Sequence, residues 1–114
     1  MLVSHPNEHG VLPEGHRETL ASRGRSYAAV KIALCDDGQF RYGLDMMYSH
    51  GGFCFPICVD SDGFPTLAAA RTAAIERMLR QWHTPFPSEP ESVRVELREL
   101  RQQVESHLLQ PSLF

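Results

Sequence analysis

The sequence predicts an α+β fold in which a three-stranded antiparallel sheet packs on one helix (βββα) and a C-terminal amphipathic helix follows. Three observations lead to this prediction. Two neighbouring stretches alternate apolar and polar residues with the period of two that is typical of strands. A DDG sequence that favours a tight turn lies between these two stretches. Two later stretches repeat their apolar residues every three or four positions, as amphipathic helices do.

Length and composition are those of one small globular domain. The chain has 114 residues, of which 42% are hydrophobic and 22% are charged, and its formal net charge is −3. Its apolar stretches are far shorter than the roughly 18 residues of a membrane span, so we expect no contact with a membrane. The first residues lack the pattern of a signal peptide, which favours a cytoplasmic location.

The first 25 residues differ in composition from the rest of the chain. They combine proline, glycine and scattered charges with few large apolar side chains. Such a segment buries too little apolar surface to compensate for the entropy lost on ordering. We therefore expect a flexible arm over residues 1–25, followed by a βββα core over residues 26–83.

The three predicted strands follow one another in the chain. Residues 27–35 alternate around Lys31, and residues 40–48 show the clearest period of two in the sequence. Residues 53–59 resume an extended pattern that contains Pro56. Because proline has no amide hydrogen, this third strand is expected at an edge of the sheet. A single helix covers one face only, so the other face is expected to remain open.

Helical periodicity begins after Thr66, whose hydroxyl is suited to cap the first amides of a helix. This helix is expected to end near His83, because Pro85 and Pro87 cannot continue it. Residues 84–90 then form a proline-containing linker.

The C-terminal helix is predicted over residues 91–110. Its apolar residues form a narrow seam at spacings of three and four: Val93, Leu97, Leu100, Val104 and Leu108. A seam of this kind packs either on the helix's own domain or on the same helix of a second copy. The sequence therefore leaves a homodimer through residues 91–110 open.

The cysteines do not indicate a metal or redox site. Three cysteines in a chain without export features are expected to be free thiols. His50, Cys54 and Cys58 have a spacing of four, but the aromatic and β-branched sequence around the two cysteines predicts a strand. In a strand, Cys54 and Cys58 would lie about 13 Å apart, too far for one zinc ion. We expect no metal and no cofactor.

The sequence also lacks the motifs of common enzyme classes. It has no glycine-rich phosphate-binding loop, no nucleophile elbow and no HExxH zinc motif. We therefore expect no catalytic residues and a protein that is not an enzyme.

Two surfaces are candidates for binding. Exposed apolar groups on an open sheet face often mark a protein contact. The predicted protein-binding residues lie on the second strand and in the loop that follows it: Arg41, Met47, Tyr48, His50, Gly51 and Gly52. The alternative is a nucleic-acid surface on the first helix, because arginine binds phosphate in a bidentate manner. Its residues are Arg71, Arg77 and Arg80.

The stretch DDGQFRYGLDMM, the glycine pair and the helix PTLAAARTAAIERML resemble a group of small uncharacterised proteins from phages, plasmids and integrated elements of Gram-negative bacteria. The matching positions are Asp37, Gly38, Phe40, Arg41, Gly43, Gly51, Gly52 and Thr66. The resemblance implies an accessory role on a mobile element, such as an inhibitor or regulator of a host protein that acts like an anti-CRISPR protein or an antitoxin. The predicted order of elements is also similar to that of HicB-type antitoxins, which bind a toxin partner.

Overall fold

In the computed structural model, which describes residues 2–12 and 15–109, four strands form one antiparallel sheet and two helices pack on one of its faces. The strands lie side by side in chain order: β1 (His16–Arg23), β2 (Ser26–Leu34), β3 (Phe40–Tyr48) and β4 (Gly51–Phe55). The helices are α1 (Leu67–Arg80) and α2 (Glu91–Leu109). The α+β class and the antiparallel sheet are confirmed, but the sheet has four strands where three were predicted.

The additional strand, β1, lies in the segment that was expected to be a flexible arm. It pairs with β2 from His16 opposite Ile32 to Arg23 opposite Ser26. The register shifts between Thr19 and Ala21, so that Leu20 and Ala21 are both buried. The prediction of an arm over residues 1–25 is therefore wrong for β1, whereas residues 1, 13 and 14 lie outside the described residues.

Apolar side chains from all four strands and both helices meet between the sheet and the helices. The seam of α2 contributes its four buried residues, Val93, Leu97, Leu100 and Val104, to this core. These four residues therefore pack within their own chain, whereas Leu108, the last residue of the seam, is exposed, and a homodimer through residues 91–110 stays a prediction. Residue 110, the predicted end of this helix, lies outside the described residues. Because β1 and α2 share the core with residues 26–83, the predicted division of the chain is wrong as well.

The start of α1 is formed as predicted. The Ala69 amide donates a hydrogen bond of 3.0 Å to the Thr66 hydroxyl, which caps the helix. The helix ends at Arg80, slightly before the predicted end at His83. The segment of residues 84–90 contains no helix or strand and leads directly into α2.

The third predicted strand is β4, which begins two residues earlier than expected and ends before Pro56. Its position at the edge of the sheet is confirmed. The chain then passes close to Gly43, where a Cβ atom would lie 2.5 Å from the Phe55 carbonyl oxygen. Ile57 packs there with Leu12, Ala33 and Cys35 in a second cluster. This cluster covers one end of the sheet face opposite the helices.

Candidate functional site

The other end of that sheet face is left uncovered, and we call it the open face. It is defined by six side chains that alternate with the buried residues of the four strands: Arg17, Tyr27, Lys31, Asp45, Met47 and Cys54. Met47 is 53% exposed. The open face therefore presents apolar surface next to charged groups, at the end of the sheet where β3 turns into β4.

Most of the charge on the open face is paired. Asp45 accepts a hydrogen bond of 2.8 Å from the Arg17 guanidinium and one of 3.3 Å from the Tyr27 hydroxyl. The Arg17 guanidinium also lies 5.2 Å from the centre of the Tyr27 ring. The hydrogen bond to Asp45 raises the pKa of Arg17. The group is thus a neutral cluster that leaves no free charge for a partner.

Lys31 is different, because its ammonium group forms no ion pair with a carboxylate of the described residues. Its register partner on β3 is Gly43, which has no side chain, so Lys31 extends across β3 towards β4. There the ammonium group lies 3.9 Å from the Cys54 sulfur. The residues that the structure describes therefore leave Lys31 as a cation without an anionic partner beside β4.

The backbone of β4 has a free edge. Phe40 of β3 exchanges two hydrogen bonds of 2.8 Å with Phe64, which lies on the β4 side of β3. Alternate residues of an antiparallel strand bond to the same neighbour, so Leu44, Met46 and Tyr48 also bond towards β4. Gly52 and Cys54 are the register partners of Met47 and Asp45, which bond towards β2 instead. The N–H and C=O groups of Gly52 and Cys54 therefore point away from the sheet.

The two edges of the sheet differ in their chemistry. β1 carries charged side chains and an irregular register, which are features that protect an edge against pairing with another chain. β4 has the sequence GGFCF, with no charged residue. Its Phe53 and Phe55 rings are partly exposed on one side, and Met47 and Cys54 are exposed on the other. The β4 edge is therefore the unprotected edge.

The predicted protein-binding residues do not form one surface. Met47 lies at the open end of the sheet together with His50 of the turn and Gly51 and Gly52 of β4, all of them exposed. Arg41 lies at the opposite, covered end, where it binds both carboxylate oxygens of Asp37.

Tyr48 is also misplaced in the prediction. It lies on the helix-covered face, where its ring stacks on His83 at 5.9 Å, and burial raises its pKa. The structure therefore separates Arg41 and Tyr48 from the other four predicted residues, because covering by later parts of the chain is not visible in strand alternation.

The arginines of α1 are largely engaged within the chain. Arg71 donates two hydrogen bonds of 2.8 Å to the Glu18 carboxylate, and Arg77 lies 4.9 Å from the centre of the Phe55 ring. The hydrogen bond from Arg71 lowers the pKa of Glu18, which keeps this ion pair charged. Only Arg80 is exposed and has no hydrogen bond or ion pair to a described residue. The three residues thus do not form a free cationic strip for nucleic acid.

The thiols of Cys35, Cys54 and Cys58 are all free. Among residues 2–12 and 15–109, no cluster of three potential metal ligands occurs. No helix in this part of the chain has the length and apolar character needed to cross a membrane.

Comparison with known proteins gives no match: no family model, no curated protein and no solved structure is similar to this chain. Its function has to be inferred from its own geometry.

Proposed function

We propose that this protein is a non-enzymatic protein-interaction module that binds an extended segment of a partner protein along the β4 edge. The observation that supports the proposal is the contrast between the two sheet edges: β1 is charged and irregular, whereas β4 is uncharged and apolar. An added strand would satisfy the outward N–H and C=O groups of Gly52 and Cys54.

The side chains around β4 indicate which partner segment fits. On the helix-covered side, a partner strand would place its residues next to the partly exposed rings of Phe53 and Phe55, which favours apolar residues. On the open face, its residues would lie beside Cys54 and Lys31. Because Lys31 lacks an anionic partner among the described residues, acidic residues are favoured there. The expected segment alternates apolar and acidic side chains.

Such a module could be encoded on a mobile element and act as an inhibitor or regulator of a host protein. This finer role follows from the sequence resemblance described above.

The proposal is tested with peptides selected from a random library on the full chain, whose affinities are then measured for two variants at one position. Cys54→Ala removes the thiol and keeps the outward amide, whereas Cys54→Pro removes the outward amide hydrogen. We expect Cys54→Ala to bind the selected peptides like the unchanged protein. The affinity of Cys54→Pro for these peptides should be lower by about tenfold, because a main-chain hydrogen bond is lost.

Circular dichroism of both variants is the control, and we expect the same spectrum as for the unchanged protein. Equal affinities of Cys54→Pro and Cys54→Ala would show that the β4 amide takes no part in binding. A dimer of the protein that occupies β4 would also contradict the proposal, because the occupant would then be a second copy.

A further inference from the structure

The open face brings the single lysine of the chain into contact with one of its cysteines. All the other basic side chains among the 11 Lys and Arg residues are arginines, whose guanidinium groups stay protonated in proteins. Lys31 carries an amine that can lose its proton, and this nitrogen lies 3.9 Å from the Cys54 sulfur. The Cys54 thiol is free, so an amine and a thiol, two nucleophiles that can be joined by oxidation, lie side by side.

The register of the sheet produces this contact. Lys31 of β2 lies opposite Gly43 of β3, and Cys54 of β4 lies opposite Asp45 of β3. Gly43 and Asp45 are two residues apart in one strand, so Lys31 and Cys54 share the same face of the sheet, on either side of β3. Gly43 puts no side chain between them. Because 23 positions separate the two residues in the sequence, the contact depends on the folded sheet.

The three thiols differ in their access to a dissolved oxidant. Cys54 is exposed, Cys58 is partly buried, and Cys35 is only 1% exposed. The sulfurs of Cys35 and Cys58 each lie next to a backbone carbonyl oxygen, that of Ala33 and that of Pro56 respectively. Susceptibility to oxidation increases with exposure. The most accessible thiol is therefore the one beside the amine.

We propose that Cys54 and Lys31 form an oxidation site at which hydrogen peroxide leads to a covalent bond between the Cys54 sulfur and the Lys31 nitrogen. The Cys54 thiolate first attacks one peroxide oxygen, and the other oxygen leaves as hydroxide and takes up a proton. The sulfur is thereby oxidised to a sulfenic acid and the peroxide is reduced to water. The unprotonated Lys31 amine then attacks the sulfur. The S–O bond breaks, and its oxygen leaves as water with a proton from the amine, which gives a sulfenamide.

The bond ties β2 to β4 across β3 and removes the positive charge of Lys31 from the open face. The flexible stem of lysine allows its nitrogen to close the remaining distance to the sulfur. Two molecules of an added thiol reduce the S–N bond, which restores the Cys54 thiol and the Lys31 amine and leaves the added thiol as a disulfide. The site is therefore reversible.

Trypsin digestion followed by mass spectrometry tests this bond, because trypsin cleaves after an unmodified lysine. The folded full chain is treated with hydrogen peroxide, alkylated and digested without a reductant. We expect loss of cleavage after Lys31, with residues 26–41 joined to residues 42–71 in a product two hydrogen atoms lighter than the two peptides together. Met47 is also exposed and can take up oxygen, so the joined product is the readout and the total mass is not.

Lys31→Arg is the matched control, because it keeps the positive charge and offers a guanidinium that does not deprotonate. The joined product should be absent from Lys31→Arg and from Cys54→Ser, whereas Cys58→Ser should form as much of it as the unchanged protein. The chain unfolded in urea should not form it either, because the sheet no longer holds the two residues together. Dithiothreitol added before digestion should restore cleavage after Lys31.

Two results would overturn the proposal. The first is oxidation of Cys54 only to a sulfinic acid, or to a disulfide between two chains, with full cleavage after Lys31. In that case the amine does not capture the sulfenic acid. The second is an equal amount of the joined product in folded and unfolded protein, because the contact within the sheet would then have no part in forming the bond.

Discussion

Replacing Leu100 by alanine is expected to lower the free energy of unfolding by about 3 kcal/mol, because it removes a large side chain from a close-packed site. Leu100 is 0% exposed and packs in the core that α2 shares with the sheet and α1. The measurement is urea unfolding followed by circular dichroism. A loss of this size is a large fraction of the stability of a domain of this length.

The same helix supplies the control. Leu109 is 84% exposed, so Leu109→Ala should change the free energy of unfolding by no more than about 0.5 kcal/mol. The midpoint for the unchanged protein should also be independent of protein concentration, because the seam of α2 is buried within its own chain. Equal effects of the two substitutions would show that α2 does not pack as described.

The second large effect is expected at Glu96, whose carboxylate is buried between α2 and the turn after β3. Its oxygens accept hydrogen bonds from the Ser49 amide at 2.8 Å, the Ser49 hydroxyl at 2.9 Å and the Ser26 hydroxyl at 3.3 Å. Glu96→Ala removes all three bonds and takes away the carboxylate that accepts from the hydroxyl of the buried Ser26. We expect a loss of about 2 kcal/mol in the free energy of unfolding. Glu96→Gln keeps the shape and one acceptor oxygen, so it should cost less.

The same residue predicts a pH dependence. Burial raises the pKa of Glu96, but the hydrogen bonds from Ser49 and Ser26 and the charge of Arg23 outweigh burial and place it below the ordinary value of 4.5. A carboxyl group with a lowered pKa in the folded state stabilises the fold fully above its unfolded pKa, and this contribution is lost as the pH falls through the folded pKa.

The acid-side loss of stability should therefore be smaller in Glu96→Gln than in the unchanged protein, as measured by thermal unfolding below pH 5. Identical acid dependence in the two proteins would mean that Glu96 is not held as an ion by these bonds.

The sequence predicts the elements whose periodicity is strong. β2, β3, α1 and α2 all lie within a few residues of their predicted bounds, because each buries one regular face. β1 was missed because its register shift buries two consecutive residues, Leu20 and Ala21, and breaks the alternation that identifies a strand. A signal for β1 was present in Gly24, whose φ of 60° allows the tight turn into β2.

The candidate sites were less accessible to sequence reasoning. The edge position of β4 follows from Pro56, but which of its amides point outward depends on the pairing with β3. The approach of Lys31 to Cys54 across Gly43 is visible only in the packed sheet.

The most direct test of the β4 proposal is the amide hydrogen exchange of Gly52 and Cys54, measured by NMR with and without a selected peptide. In the free protein both amides should exchange quickly, because they point away from the sheet. With the peptide bound, both should slow by about tenfold or more, as the amides of a paired strand do. If these two amides keep their rates while amides elsewhere in the protein slow, the partner binds at another surface and the β4 account is wrong.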